Sequence, residues 1–177
     1  MPTESLAGTS TADRAWPVLP NLLVAGARTE AWELPPGPIT VVSLSRTPLD
    51  ADVYARAATP PLRVLHRPFT YWESKAPVTL LDSLVQEISV LAARERTLVH
   101  CTLGLDRTGV VALALLLRHT GTLNEALRRY RARGVRLPRQ DAMDVLTSYA
   151  HRAPTTTPDI ITPRPPSTTN EGTGHAR

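Results

Sequence analysis

The chain has 177 residues and a formal net charge of +4, carried almost entirely by arginine, since Lys75 is the only lysine. This length predicts one domain with a sizeable hydrophobic core. The sequence has no apolar run long enough to span a membrane and no basic-then-apolar leader. These features argue against membrane insertion and secretion, and we expect a cytoplasmic protein.

The cysteine and histidine content argues against a structural metal. Cys101 is the only cysteine, so no internal disulfide can form, and the five histidines lack zinc-ligand spacing. We therefore expect no cofactor. Six arginines fall between Arg128 and Arg139. They fit either a solvated helix face or a surface for an anionic partner, and we expect no nucleic-acid partner.

Composition divides the chain into a domain and two tails. Residues 1–14 are small and polar, and residues 153–177 are rich in Pro and Thr. Such segments bury too little apolar surface to offset the entropy of ordering. We expect both tails to be disordered and a domain over residues 15–152.

Alternating strand-like and helix-like patterns run through this domain. Short apolar segments predict buried strands, and apolar residues at helical spacing then predict an amphipathic helix over residues 78–94. The strand segments are residues 21–26, 39–44, 62–69 and 97–100. Most strands precede helices, which indicates an α/β fold with a central, mostly parallel sheet of four to five strands flanked by helices.

The second half of the domain is predicted to be helical. Residues 107–119 are apolar on almost every face, as in a helix buried at the domain centre, and Gly121 ends it. Thr122 and Glu125 fit a capping box for the next helix. A last helix is predicted from about Pro138 to His151.

The segment VHCTLGLDRTGV, residues 99–110, joins a predicted buried strand to the long buried helix. At such a junction the free amides and the helix dipole favour an anion. Gly104 can take a positive φ, and Arg107 offers a planar fork that matches phosphate oxygens. The predicted phosphate-binding residues are Thr102, Leu103, Gly104, Leu105, Asp106 and Arg107.

An electropositive loop of this kind changes the chemistry expected of Cys101. Helix N-termini and nearby cations lower a cysteine pKa from about 8.5 to roughly 3.5–7.5. The thiolate could then attack phosphorus without a metal, with Thr108 donating its hydroxyl to the sulfur. The alternative interpretation is a small, buried and inert cysteine.

Six residues of this segment carry a family resemblance. His100, Cys101, Gly104, Arg107, Thr108 and Gly109 match His-Cys-x-x-Gly-x-x-Arg-Ser/Thr-Gly. The sequence here resembles the cysteine-based protein tyrosine and dual-specificity phosphatase superfamily. The resemblance extends as a looser pattern over most of residues 18–150. It implies the cysteine phosphatase fold, a cysteinyl-phosphate intermediate and a supporting role for His100.

Residues 134–149 look like the corresponding segment of phosphatase-and-tensin-type and atypical dual-specificity enzymes. The resemblance implies that Gln140 places the hydrolytic water. The family's usual upstream aspartate, its general acid, is missing, and Glu73 is the only carboxylate in residues 67–77. Asp106 is the alternative acid, because its loop resembles that of myotubularin-type and some bacterial phosphatases. It could equally be a structural partner of an arginine.

These features predict a phosphomonoester hydrolase, monomeric and acting on phosphotyrosine or phosphoserine/threonine in proteins. A phosphoinositide or small phosphate-ester phosphatase and a catalytically silent phosphate-binding module remain as alternatives. Tyr71 and Trp72 are either a wall for a phosphotyrosine ring or core residues. His66 and Arg67 end a strand near the same mouth and could contact substrate.

Overall fold

A computed structural model describes residues 15–26, 34–48, 54 and 60–152. The described elements, in chain order, are β1 (Trp16–Leu19), β2 (Leu22–Gly26), β3 (Thr40–Ser43), β4 (Arg63–His66), α1 (Pro77–Arg94), β5 (Thr97–Cys101), α2 (Asp106–Thr120), α3 (Leu123–Arg131) and α4 (Gln140–Arg152). The expected disordered tails, residues 1–14 and 153–177, lie outside the described residues.

The five described strands form one sheet in the order β1-β2-β5-β3-β4. β2, β5, β3 and β4 pair in parallel, and only β1 is antiparallel, against β2. The α/β architecture with a mostly parallel sheet is therefore confirmed. The central strand is β5, with Cys101 beside Gly26 and His100 beside Ser43. This register brings the carboxyl ends of three strands together, where ligands of parallel sheets bind.

Strand β1 was not predicted as a separate element. Pro17 interrupts its apolar pattern and removes one backbone donor. An edge strand tolerates this loss because one of its sides has no ladder to complete. The predicted strand 62–69 is also shorter than expected, since β4 ends at His66.

The helices match the predicted spans to within two residues. α2 is buried continuously from Thr108 to Leu117, which makes it the centre of the main hydrophobic core. It ends at Gly121, which has a φ of +78°. The Thr122 hydroxyl caps α3 by accepting from the Glu125 amide. None of the helices in the described ranges is both long and apolar enough to cross a membrane.

Candidate active site

Cys101 is the last residue of β5, and its side chain opens into the loop that leads to α2. It is only 2% exposed. The loop turns back at Gly104, whose φ of +69° suits glycine far better than other residues. Its amide donates to Cys101 Sγ at 3.2 Å. The loop therefore curls around the sulfur, as the strand–loop–helix pattern predicted.

The start of α2 faces the same loop. Leu105 occupies the N-cap position and supplies no side-chain acceptor, so the first-turn amides have no side-chain cap. Uncapped amides at a helix N-terminus carry a partial positive charge and attract anions. Helix amides without a side-chain cap therefore lie close to a cysteine sulfur.

The Arg107 guanidinium is held by three different parts of the domain. Nη1 donates to the Leu44 carbonyl at 3.3 Å, and Nη2 donates to Thr102 Oγ1 at 3.2 Å. Its Cζ also lies 5.8 Å from the ring centroid of Trp72, within cation–π range. Arg107 is therefore oriented by the residue after β3, by the cysteine loop and by an aromatic side chain.

His100 supports the loop from inside the sheet. It is fully buried, with Nε2 hydrogen-bonded to the Tyr54 hydroxyl at 3.0 Å. Burial lowers the pKa of His100 to about 4, aided by the nearby positive charge of Arg107. The ring is consequently neutral at physiological pH.

Thr108 and Gly109 form the buried face of the first turn of α2. Thr108 is 1% exposed, and its hydroxyl has no hydrogen-bond partner among the described residues. Gly109 packs so closely that an added Cβ would lie 2.8 Å from both Pro138 Cγ and Tyr130 Oη. The glycine of the motif thus allows the segment before α4 to approach the cysteine loop.

The two candidate acids have different surroundings. Both carboxylate oxygens of Asp106 accept from Arg139: Oδ1 from the main-chain N–H at 2.8 Å and Oδ2 from Nε at 2.7 Å. Glu73 is more exposed and lies 3.1 Å from Arg46 Nη1. It follows Trp72 on the turn over residues 71–73. Arg46 was not noted in the sequence, whereas Arg139 was noted only as one of six arginines between Arg128 and Arg139.

Other candidate residues are held by local contacts. Gln140 is exposed as the first residue of α4, and its Nε2 donates to Asp144 at 2.8 Å. His66 Nε2 is 2.8 Å from the Ser45 carbonyl oxygen. Arg67 pairs with Glu87 on α1, with Nε 2.9 Å from Oε2. His66 and Arg67 therefore brace the end of β4.

The aromatic pair Tyr71–Trp72 divides between the core and the surface. Tyr71 is 3% exposed and belongs to the core, whereas Trp72 is 49% exposed. Burial and the nearby Asp141 carboxylate raise the pKa of Tyr71. Only Trp72 is thus available to a ligand at the mouth of the site.

Comparison with known proteins agrees with this geometry. Residues 67–129 match the model of the tyrosine phosphatase family. Tk-PTP in its active form is similar in structure, with a TM-score of 0.54 and 22% identity over 78% of this chain and 97% of its own. Human DUSP28 has a TM-score of 0.56 and 19% identity over 77% and 93%. Residues 67–129 of this chain are thus similar to the tyrosine phosphatase family, and its fold is similar to those of Tk-PTP and DUSP28. A search of the curated proteins found no match.

The segment that matches the family covers part of the candidate site. It contains Trp72, Glu73 and the whole cysteine loop, but it ends before Arg139 and Gln140. A human tyrosine phosphatase-like serine/threonine/tyrosine-interacting protein is also similar, with a TM-score of 0.51 and 15% identity over 77% of this chain and 95% of its own. At these identities the structural neighbours show only the fold of this chain.

Proposed function

We propose that this protein is a phosphatase that hydrolyses aryl phosphate monoesters, with phosphotyrosine as the substrate class, through a cysteinyl-phosphate intermediate. The observation that carries the proposal is the junction between β5 and α2. There Cys101 Sγ, the uncapped helix amides and the oriented Arg107 guanidinium converge. This arrangement suits a phosphoryl group held by its non-bridging oxygens while sulfur attacks phosphorus.

In the first step, the Cys101 thiolate forms a bond to phosphorus and the phosphorus–oxygen bond to the leaving group breaks. Glu73 donates a proton to that leaving oxygen. In the second step, water placed by Gln140 attacks phosphorus, its proton passes to Glu73, and the sulfur–phosphorus bond breaks. Inorganic phosphate is released, and the Thr108 hydroxyl donates to the thiolate as it reforms.

The choice of Glu73 as the acid rests on position. It is the immediate neighbour of Trp72, whose ring faces Arg107 across the mouth. Its partner Arg46 is largely exposed, so this ion pair is accessible to solvent and weak. Gln140 must give up its hydrogen bond to Asp144 before its side chain can hold the hydrolytic water.

The preference for an aryl substrate rests on the surface around Arg107. Trp72 is 49% exposed and Leu103 is 50% exposed, so both offer apolar surface beside the phosphate loop. An aromatic ring can pack on such surface, whereas an inositol ring exposes hydroxyl groups. The loop over residues 102–106 also has no lysine to meet additional phosphates. The proposal retains the cytoplasmic location and monomeric state expected from the sequence.

The test is turnover of para-nitrophenyl phosphate and a phosphotyrosine peptide by wild-type protein and by Cys101→Ser. We expect turnover with a burst of phenolate in the wild type. Cys101→Ser should lose turnover while still binding inorganic phosphate, detected by calorimetry. A wild type that binds phosphate but releases no phenolate between pH 5 and 8 would instead be a silent phosphate-binding module.

The acid is tested separately with Glu73→Gln. Loss of the proton donor should slow hydrolysis of alkyl phosphates by about 10²-fold or more, and of nitrophenyl phosphate far less. Arg46→Gln serves as the matched control, because it removes the partner of Glu73 but retains its carboxyl group. Equal rates for Glu73→Gln and wild type on alkyl phosphates would exclude Glu73 from this role.

A further inference from the structure

A polar cluster connects the helix end of the cysteine loop to the start of α4. Asp106, the first residue of α2, accepts two hydrogen bonds from Arg139, one from its main chain and one from its side chain. The guanidinium also lies 4.0 Å from an oxygen of Asp141. Asp141 in turn accepts from the buried Tyr71 hydroxyl at 3.4 Å. The cluster therefore connects the phosphate loop, the aromatic turn and α4.

The contact with Arg139 determines where the Asp106 charge lies. An aspartate in the first turn of a helix commonly accepts from its own first-turn amides. Asp106 does not cap α2 in this way, because both of its oxygens are bonded to Arg139. The helix amides therefore stay available to a ligand. The Arg139 guanidinium, which comes from outside the loop, also compensates the negative charge of Asp106 beside Arg107.

An apolar contact reinforces the same attachment. Pro138, the residue before Arg139, is buried against the first turn of α2 at Gly109. Pro138 packs on this turn, and Arg139 makes two hydrogen bonds to Asp106 within it. The two residues together attach the segment before α4 to the start of α2. Gln140 follows directly, so the position of its backbone relative to Cys101 depends on the same two residues.

We propose that Arg139 is a positioning residue, which compensates the Asp106 carboxylate and fixes the phosphate loop against the start of α4. In this role Asp106 anchors the loop and does not donate the catalytic proton. The inference rests on the proposed function for its kinetic consequences. The expected effect on phosphate binding does not depend on catalysis, because it concerns only the charge and geometry around the bound anion.

The experiment measures inorganic phosphate binding by calorimetry and the kinetics of nitrophenyl and alkyl phosphates for five variants. In Arg139→Ala the Asp106 carboxylate loses its compensating charge and repels the anion. We expect phosphate to bind more weakly by on the order of tenfold, the scale of one uncompensated charge near a protein surface. Substrate KM should rise by a similar factor. Arg139→Lys keeps the positive charge, so it should restore most of the loss.

The double variant Arg139→Ala/Asp106→Asn distinguishes charge compensation from general damage to the fold. Removing the uncompensated carboxylate should recover phosphate affinity, which a merely unfolded or displaced loop would not do. Arg152→Ala is the matched control, since it removes an exposed arginine from the opposite end of α4. It should bind phosphate as the wild type does.

Asp106→Asn alone decides the role of the carboxylate. We expect its rates on nitrophenyl and alkyl phosphates to fall by the same factor, leaving the ratio between them unchanged. A selective collapse on alkyl phosphates would show that Asp106 is the acid and overturn the inference. Wild-type phosphate affinity in Arg139→Ala would also overturn it. Absence of turnover in the wild type would instead contradict the proposed function, with the binding measurements still deciding the role of Arg139.

Discussion

Mild acid should destabilise this domain over a pH range that His100 determines. The imidazole is fully buried beneath the cysteine loop, and burial lowers its pKa to about 4 from an ordinary value of 6.5. In the unfolded chain the same ring is in water and takes up its proton near pH 6.5. Between these two values the unfolded state binds the extra proton, so stability falls as the pH falls.

The size of this effect follows from the two pKa values. The difference between 6.5 and about 4 corresponds to about 3 kcal/mol, because each pKa unit is worth about 1.4 kcal/mol. The contribution is fully present above pH 6.5 and is lost by about pH 4. Glu125, held at a pKa of about 2 by Arg128 and Arg129, responds to acid only at lower pH. The two contributions should therefore be separable in a pH series.

The assay is urea unfolding followed by circular dichroism at closely spaced pH values from 7.5 to 4. His100→Asn should be less stable at pH 7, yet its stability should vary less over this range by about 3 kcal/mol. Tyr54→Phe removes a hydrogen-bond partner of the ring but leaves the ring buried, so it should keep most of the pH dependence. Identical slopes for wild type and His100→Asn would refute this explanation.

Three further outcomes are expected at the cysteine loop. Gly109→Ala should lose about 1–3 kcal/mol of unfolding free energy in denaturant titrations, since its methyl group would collide with Pro138 and Tyr130; unchanged stability would contradict the close packing. Thr108→Val should raise the melting temperature by removing an unpartnered buried hydroxyl. The same variant should slow the steady-state rate that follows the burst by on the order of tenfold. Trp72→Ala should lower kcat/KM for phosphotyrosine peptides several-fold and for alkyl phosphates hardly at all, and an equal loss on both would exclude ring packing.

The sequence predicted the elements whose patterns are local and strong. α2 could be identified because apolar residues occupy almost its whole circumference, and the cysteine loop because six motif residues have fixed spacing. Strand β1 was missed because its stability comes from pairing with β2 rather than from its own short, proline-containing sequence. The capping box was half correct, since the Glu125 carboxylate contacts Arg128 and Arg129 while its amide binds the cap.

The side-chain partners at the site depend on contacts between distant parts of the chain. Asp106 and Arg139 are 33 residues apart, and no periodicity connects them. The contact of Arg107 with Leu44 uses a backbone carbonyl, which carries no sequence signal at all. Tyr71 and Trp72 are adjacent and similar in chemistry, yet one is buried and the other exposed because a turn separates their directions. Only the tertiary fold determines such pairings.

The central place of β5 in the sheet separates two kinds of tolerance to change. Cys101 is carried by a strand with a neighbour on each side, so fraying at either margin of the sheet leaves its ladder intact. Arg46 and Trp72 instead follow β3 and β4, which lie towards one margin. Mutations of Arg46 or Trp72 can change the surface around the site without altering the pairing of β5. Substitutions at this margin are therefore expected to change the surface around the site more than the position of Cys101.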